Sequence, residues 1–516
     1  MSASRYILSI DLGTGGPKVA VVGDDWEIAA STSRPVQTHR IPPGGAEQDP
    51  EEIWSAILDA AGQVVRDAAV PPESILGVAC ASQYFSVVPV DASGCPVSNL
   101  VLWMDVRGGA HTRAMYQAHP DAFLRWIEIA GMPPLPTGND SLSHMLFIKN
   151  ERPEVYERAH KLVEPMDYVT GRLSGVSTAN ACSAFAQLLT DNRRLDAVEY
   201  HDELLAMSGI DREKLPDLVE VGSPVGSIQK HIARQIGLSP DTPVFSGIND
   251  TQAVAIGSGT FQGSHGGISI GTTCQVLAFV EGMRADLENG ILAMPSPVPG
   301  LYAVMAEIGL AGKTLEHFLD NVVFANDALG DHSSADPFAG VEKILESTTA
   351  GSGGLLYLPW LTGAQSPKAS PAMRGGFLNL SLETTRAQML RAVLEGVSFS
   401  LRWALPAVER FAGREFDELS FAGGGAGSDA WAQMLADVMD RPVLQLEDAR
   451  QVNNRAAALV AFERLGIVGF DDVEKLQRIK RSYRPVPESR DIYDKLFPQF
   501  LAAFEQNRPI FEALNG

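Results

Sequence analysis

A carboxylate followed by a glycine-rich turn stands near the beginning of the chain. Asp11 ends the apolar run of residues 6–10, and the turn after it contains Gly13, Thr14, Gly15 and Gly16. Glycines let several backbone N–H groups surround an anion, Thr14 adds a hydroxyl donor, and the carboxylate could hold a metal ion that bridges phosphate oxygens. A strand-like run, residues 19–22, follows where a Rossmann turn or P-loop requires a helix. The segment therefore predicts either a phosphate-binding hairpin or an ordinary glycine turn.

A similar arrangement recurs in the second half of the chain. Residues 267–270 form a short apolar run before Gly271 and Thr272, and another strand-like run covers residues 275–280. A chance match is one explanation, because Gly-Thr is a common pair. If the similarity is real, two similar lobes each present a hairpin to one phosphate chain. Small residues and glycines accumulate in residues 256–267, which places the break between the lobes there.

A third glycine-rich turn follows a predicted strand at residues 419–422. It contains five residues, 423–427, and Ser428 or Asp429 can cap a helix that ends near Met439. Such a turn allows a nucleotide to approach the helix N–H groups, although a plain strand–turn–helix has the same pattern. Two other helices are readable: one capped by Asp49, and one over residues 385–405 with apolar residues at helical spacing.

Length and charge limit the classes of function. The chain has 516 residues and a formal net charge of −22. This length predicts about two to four domains. No apolar run approaches the roughly 18 residues of a membrane helix, and no signal-like N-terminus is present, so we expect a cytoplasmic protein without a membrane partner. The acidic balance, with no long basic run, argues against nucleic-acid binding.

The charge also constrains how a nucleotide could bind. Backbone N–H groups, Lys18 and a divalent cation would have to attract it locally against the overall negative field. The four cysteines are far apart without CxxC spacing, which argues against a zinc site or a disulfide framework. Residues 309–314 end like a P-loop, but the position of its first glycine is Glu307, so a P-loop NTPase is disfavoured.

A series of short motifs stands in one order along residues 7–466. The motifs are residues 10–14 with Lys18, 47–50 before Trp54, 103–107, 249–251, 271–272, 359–363, 374–375 and 423–426. Together they resemble those of the FGGY carbohydrate kinases, which include xylulokinase, glycerol kinase and ribulokinase. The resemblance implies an α/β fold of two actin-like lobes (ribonuclease H-like, ASKHA superfamily). Each lobe would be a mixed five-stranded sheet with flanking helices, and ATP and sugar would bind in the cleft between them.

The resemblance also implies roles for individual residues. Asp250 would be the base that accepts the proton of the sugar hydroxyl, whereas its surroundings alone favour a helix N-cap. Asp11 would orient Mg²⁺ and its waters. The positions implied to contact ATP are Gly13, Thr14, Gly15, Gly16, Lys18, Thr272, Gly312, Gly424, Gly425 and Asp429.

The positions that would read the sugar depart from the best-known relatives. Tyr84 and Phe85 stand where xylulokinases carry Met-His and glycerol kinases Arg-Glu, and Thr251 follows the predicted base where Asn or Gln is usual. The two rings could pack on the C–H face of a sugar, or they could simply fill the core. We take Gln83, Tyr84, Phe85, Asp105 and Thr251 as the candidate substrate residues.

These observations predict an ATP-dependent kinase acting on a primary hydroxyl of a sugar or polyol. Xylulose is the leading candidate substrate, and ribulose, a tetritol or a deoxy-sugar remain alternatives. The expected lobes are residues 1–257, with the sugar site and predicted base, and 258–516, with the nucleotide site; a homodimer is the habit of the family. A non-catalytic nucleotide-binding sensor should lack Asp11, Thr14 or Asp250, and all three are present. An acyl or polyphosphate kinase is disfavoured by residues 47–50 and 103–107.

Overall fold

The first lobe is built on a seven-stranded sheet. The computed structural model describes residues 4–328, 330–334 and 336–516. The strands of this sheet are β1 Tyr6–Gly13, β2 Gly16–Gly23, β3 Ile28–Ser33, β4 Ile75–Ser82, β5 Pro224–Ser227, β6 Pro243–Phe245 and β7 Ile248–Asn249. Their spatial order is β5–β6–β4–β1–β2–β3, and β7 pairs with β4.

The second lobe is built on a six-stranded sheet. Its strands are β8 His265–Ile270, β9 Thr273–Leu277, β10 Glu307–Leu310, β11 Glu418–Ala422, β12 Val443–Leu446 and β13 Ile479–Tyr483. Their spatial order is β10–β9–β8–β11–β12–β13.

The two sheets repeat one topology. In each sheet a three-stranded antiparallel meander, β1–β2–β3 or β8–β9–β10, lies beside two strands parallel to the first strand of the meander. An antiparallel edge strand, β5 or β13, completes each sheet. The predicted two-lobed α/β fold is confirmed, and the weak sequence similarity between the halves corresponds to a real repeat. Each sheet exceeds the expected five strands because the edge strands and the short β7 add to it.

Helices and short strands surround the sheets. The helices are α1 Pro50–Asp67, α2 Gly109–Ala118, α3 Ala122–Ala130, α4 Ser141–Glu151, α5 Pro153–Arg158, α6 Pro165–Ser174, α7 Ala181–Ala184, α8 Asp202–Ser208, α9 Lys230–Ile236, α10 Asp250–Gly257, α11 Gly312–Phe318, α12 Val341–Ser347, α13 Arg386–Ala412, α14 Asp429–Met439, α15 Val452–Arg464, α16 Val473–Leu476 and α17 Pro487–Asn515. The remaining strands are His39–Ile41, Gly45–Gln48, Val88–Val90, Leu100–Val101, Lys161–Val163, Thr178–Asn180, Thr190–Asp191, Glu199–Tyr200, Asp217–Val219, Phe279–Glu281, Ala285–Asp286, Ile291–Pro295, Leu301–Met305, Asn326–Asp327, Gly330–Asp331, Leu356–Leu358 and Gly376–Leu378.

Helix starts follow the capping residues in the sequence. Asp49 caps α1 by accepting a hydrogen bond from the Glu51 N–H, and Ser428 caps α14, both as predicted. Thr385 caps α13, but this helix continues through Pro406 and ends at Gly413, beyond the predicted end at residue 405. Gly413 adopts the left-handed conformation that ends helices. The residue that marks the end of α13 in the sequence is therefore Gly413.

The last part of the chain returns to the first lobe. Helix α15 packs against β1, β4 and α10. Strand β1 is therefore buried on both faces: Leu8 and Ile10 face the same apolar cluster as α1, whereas Ile7 belongs to a cluster that extends through the second lobe. The predicted division after residue 257 falls at the end of α10, and α15, from the second half of the chain, packs across it. Within the described residues, no helix is both long and apolar enough to cross a membrane.

Candidate active site

The candidate site lies where three parallel strands of the first sheet end. Strands β1, β4 and β7 run side by side, with Asp11 opposite Ala81 and Asn249 opposite Ser82. The carboxyl ends of parallel neighbours meet at one edge of a sheet, where ligands bind in open α/β folds. This edge brings together the turn after β1, the segment that starts at Gln83 and the beginning of α10.

Asp250 is the first residue of α10. The N-cap is Asn249, whose side chain accepts from the Gln252 N–H, while the Gln252 side chain accepts from the Asn249 N–H. The N-cap role that local sequence favours for Asp250 is therefore wrong, because its neighbour fills that position. Among the described residues no side chain forms a hydrogen bond or ion pair with the Asp250 carboxylate, which is partly exposed and free to meet a ligand.

The Asp250 carboxylate is poised to titrate near neutral pH. Burial and, next, the nearby negative charge of Asp11 raise the pKa of Asp250 to about 7. Lys18 and the N–H of the following residue act in the opposite direction. A carboxylate with this pKa can accept a proton at neutral pH, as a general base must.

Asp11 and Lys18 face each other across the β1–β2 hairpin. They are register partners, and the Lys18 ammonium forms an ion pair with Asp11 Oδ2. Asp11 Oδ1 accepts a hydrogen bond of 3.3 Å from Asn453 Nδ2 of α15. Asp11 raises the pKa of Lys18, so the ammonium remains charged.

A second cation lies near this pair. Arg450, which precedes α15, is close enough to lower the pKa of Lys18. Arg450 is exposed, and no carboxylate of the described chain lies within 4 Å of its guanidinium. The Lys18 end of the cleft thus has a positive group from each half of the chain.

The Thr14 hydroxyl joins the first turn to Gln83, one of the candidate substrate residues. It donates to Gln83 Oε1 at 2.7 Å and accepts from Trp103 Nε1 at 3.0 Å. Gln48 Nε2 donates to the Thr14 carbonyl at 2.7 Å, and Gln83 Nε2 donates to Gln48 Oε1 at 3.2 Å. These bonds fix the turn relative to the end of β4. They therefore hold the predicted phosphate site and the predicted sugar site in a fixed relative position.

The glycines of the first turn differ in their surroundings. A Cβ at Gly13 or Gly15 would meet no atom within 4 Å, so this side of the turn is open to a ligand. Gly16 instead has a φ of +122°, and a Cβ there would lie 2.1 Å from the Arg34 carbonyl oxygen. The hairpin therefore requires glycine at Gly16 to form.

The glycine turns of the second lobe also meet at one sheet edge. The Gly271–Thr272 turn is exposed and accepts hydrogen bonds from the N–H groups of residues 311–313, including Gly312. A Cβ at Gly425 would lie 2.9 Å from the side chain of Ile270 at the end of β8, so the third glycine turn packs closely there. Gly424 in the same turn is exposed.

Two charged residues of this region have protein partners. The Asp429 carboxylate accepts from Gln445 Nε2 at 2.9 Å and forms an ion pair of 2.5 Å with Lys480. Lys313, the lysine of the P-loop-like segment, pairs with Glu316 at 2.9 Å on the surface of α11. The Lys313 ammonium group thus has a protein partner, whereas the Lys313 N–H donates to the Thr272 carbonyl.

Tyr84 and Phe85 are partly buried and pack against the apolar core, and Tyr84 lies close enough to Asp250 to be influenced by its charge. Their ring centroids are 4.6 Å apart, and Phe85 has a φ of +54°, which is rare for a bulky residue and typical of functional sites. The Tyr84 hydroxyl lies 3.3 Å from Thr251 Oγ1 and donates to Met305 Sδ at 3.1 Å. Burial holds the pKa of Tyr84 well above its usual range, so this hydroxyl stays neutral.

Asp105 is fully buried away from these groups. Its carboxylate accepts hydrogen bonds from the Ala46 N–H at 2.8 Å and from Arg107 Nη2 at 2.6 Å. Arg107 and Arg152 both contact Glu47 Oε1 at 2.6 Å. The protein occupies both oxygens of Asp105, so its observed role is to anchor Arg107, and a contact with sugar remains a prediction.

The structure adds site residues that sequence reasoning missed. Asn453 contacts Asp11 although hundreds of residues separate them. Gln275 Nε2 donates to Glu307 Oε2 at 2.8 Å and to Thr251 Oγ1 at 3.3 Å, which brings β9 and β10 to the predicted sugar site. A single charged residue within the apolar run 301–310 was a usable signal for Glu307.

Asp11 is the residue that fits a divalent cation. Its negative charge raises the pKa of Asp250, and a cation held by Asp11 would offset that charge. Magnesium needs only one or two carboxylates when phosphate oxygens and water complete its shell. The described residues contain no cluster of three or more His, Cys, Asp or Glu side chains that could enclose a metal.

Comparison with known families identifies both halves of the chain. Residues 6–257 match the model of the N-terminal domain of the FGGY family of carbohydrate kinases, and residues 266–459 match that of its C-terminal domain.

Individual relatives align over almost the whole chain. A xylulose kinase of Bacillus subtilis is 28% identical, covering 99% of both chains, and a gluconokinase of the same organism is 25% identical, covering 96% of this chain and 95% of its own. The crystal structure of a ligand-bound xylulose kinase from Lactobacillus acidophilus superposes with a TM-score of 0.85 at 21% identity, covering 99% of this chain and all of that one.

Proposed function

Because the chain belongs to the FGGY family of carbohydrate kinases, we propose that it transfers the γ-phosphoryl group of ATP to a primary hydroxyl of a ketopentose-like sugar. The observation that carries the proposal is the meeting of the Asp250 carboxylate, the Asp11–Lys18 pair and the Thr14 turn at one sheet edge. This is the set of groups that phosphoryl transfer to an alcohol requires.

Asp250 acts as the general base in this proposal. The sugar hydroxyl oxygen attacks the γ-phosphorus, and the bond between that phosphorus and the oxygen bridging to ADP breaks. The hydroxyl proton passes to Asp250, and ADP leaves with the electron pair of the broken bond. Phosphoryl transfer depends mainly on position, and α10 fixes Asp250 at its first residue.

The first turn, Lys18 and Arg450 would bind the phosphates. The open faces of Gly13 and Gly15 leave room for phosphate oxygens beside backbone N–H groups. By the family resemblance, the second-lobe positions Thr272 and Gly312 would contact the phosphates, and Gly424, Gly425 and Asp429 would lie near the rest of the nucleotide. Asp11 would hold Mg²⁺, which would supply positive charge against the phosphates.

Xylulose is the leading candidate acceptor. Relatives named xylulose kinase cover nearly the entire chain, although relatives named gluconokinase do so at similar identity. Tyr84, Phe85 and Thr251 give the predicted sugar site two aromatic rings and two hydroxyl groups. Ribulose, a tetritol and a deoxy-sugar remain the alternatives.

A substrate panel tests the proposal directly. Purified protein with Mg·ATP is assayed for ADP release against xylulose, ribulose, erythritol, a deoxy-ketose and glycerol, and the products are identified by mass. We expect sugar-dependent ADP release and a sugar phosphate, with the highest kcat/KM for a ketopentose. ADP release that does not depend on any sugar or polyol would contradict the proposal.

A further inference from the structure

Two buried acceptor atoms of the second lobe lie beside the predicted sugar site. Glu307 on β10 and Gln275 on β9 are joined by the 2.8 Å hydrogen bond described above. The other oxygen of each side chain, Glu307 Oε1 and Gln275 Oε1, is buried without a partner of hydrogen-bond geometry in the described chain. Burial raises the pKa of Glu307 to about 7, and the Gln275 and Thr273 side chains and the Gly309 N–H lie close enough to its carboxyl to act in the opposite direction. Buried acceptors are normally satisfied, so these two atoms mark a place where a ligand can donate hydrogen bonds.

The same two side chains belong to the hydrogen-bond chain of the sugar site. Gln275 reaches Thr251, and Thr251 lies 3.3 Å from the Tyr84 hydroxyl. Glu307 is also close enough to Asp250 to raise the pKa of that carboxyl. The Gln275 and Glu307 side chains therefore lie beside Thr251, the residue that follows the predicted base.

The charges around the predicted sugar site favour an uncharged ligand. Three carboxyl groups lie near this site. The charges of Asp11 and Glu307 both raise the pKa of the third, Asp250. Lys18 is already paired with Asp11. A further carboxylate on the substrate would face like charges, whereas hydroxyl groups can donate to them.

We propose that Glu307 and Gln275 form a second-lobe subsite that accepts hydrogen bonds from hydroxyl groups of an uncharged ketose or polyol and discriminates against sugar acids. This inference rests on the proposed sugar kinase function and narrows its substrate class. It also gives β9 and β10 a role in sugar binding, which the sequence assigned to the first lobe.

Kinetics of matched variants test the subsite. Wild type, Glu307→Gln and Gln275→Ala are assayed with xylulose, ribulose and gluconate, and Glu281→Gln, an exposed carboxylate of the same lobe, is the control. We expect wild type to prefer a neutral sugar over gluconate by about 100-fold or more. Glu307→Gln should raise the KM of the neutral sugar about 10- to 100-fold, with a smaller change in kcat and an unchanged KM for ATP.

The pH dependence of kcat/KM is a second measurement, and a purely structural role of Glu307 would not change it. Because Glu307 raises the pKa of Asp250, Glu307→Gln should shift the acidic limb of kcat/KM to lower pH, and the control should not. If Glu307→Gln does not fold, the change in sugar KM of Gln275→Ala tests the subsite instead. A wild type that prefers gluconate, or unchanged sugar KM in both variants, would overturn the subsite and leave the kinase function standing. Absence of sugar-dependent turnover in wild type would overturn both.

Discussion

At the scale of the residue, the protonation of Asp250 should control the pH dependence. Burial and Asp11 raise its pKa to about 7, and a protonated carboxyl cannot accept the hydroxyl proton. We therefore expect kcat/KM for the sugar to fall as the pH drops below about 7 and to level off above it. Initial rates of ADP formation at saturating ATP, from about pH 5.5 to 8.5, measure this limb. A flat profile over this range would contradict the assignment.

Replacement of Asp250 by asparagine tests the base itself. Asp250→Asn keeps the volume and the helix start, because Asn249 provides the cap. We expect kcat to fall by about 10²- to 10⁴-fold while the circular dichroism spectrum and melting temperature stay close to wild type. Asp241→Asn, an exposed position before β6, is the control. Wild-type turnover in Asp250→Asn would remove this residue from the mechanism.

Arg450 offers a second test at this scale. It is exposed, has no carboxylate within 4 Å in the described chain and influences Lys18, so it is free to meet a phosphate. We expect Arg450→Gln to raise the KM for ATP about fivefold or more and to leave the KM for the sugar unchanged. Arg386→Gln, an exposed position at the start of α13, should match wild type. Equal KM values for ATP in both variants would exclude a phosphate contact.

At the scale of the element, the first hairpin depends on one glycine. Gly16 has a positive φ and no room for a Cβ beside the Arg34 carbonyl, whereas Gly15 faces open space. We expect Gly16→Ala to reduce the free energy of unfolding by about 2 kcal/mol or more and to lower the melting temperature by several degrees. Gly15→Ala should melt like wild type. Equal melting temperatures for the two variants would show that the hairpin can rearrange around Gly16.

Elements made by neighbouring residues were readable from the sequence. The hairpins at Gly13–Gly16 and Gly271–Thr272 and the capped starts of α1, α13 and α14 rest on turn and cap residues within a few positions. The order of the sheets was not readable, because β6 and β7 pair with β4, and β5 pairs with β6, only after a long excursion of the chain. The fold class came from the order of the motifs, and the additional strands came only from the structure.

The same limit applies to the site. Asp11, Thr14 and Asp250 stand in motifs that the sequence displays, so they could be proposed directly. Asn453 meets Asp11 across the whole length of the chain, and Glu307 meets Thr251 through Gln275. No local pattern encodes such contacts, because packing of α15, β9 and β10 against the first lobe creates them.

At the scale of the whole molecule, the net charge of −22 opposes the approach of ATP. The Debye length shrinks from about 30 Å at 0.01 M salt to about 8 Å at 0.15 M, so salt weakens this long-range repulsion more than the close attraction of Lys18 and Arg450. We therefore expect kcat/KM for Mg·ATP to rise about two- to tenfold over this range. A neutral sugar carries no charge, so its kcat/KM at saturating ATP should stay constant and serves as the control. A steady fall of kcat/KM for Mg·ATP with salt would mean that the local cations, and not the overall charge, govern nucleotide capture.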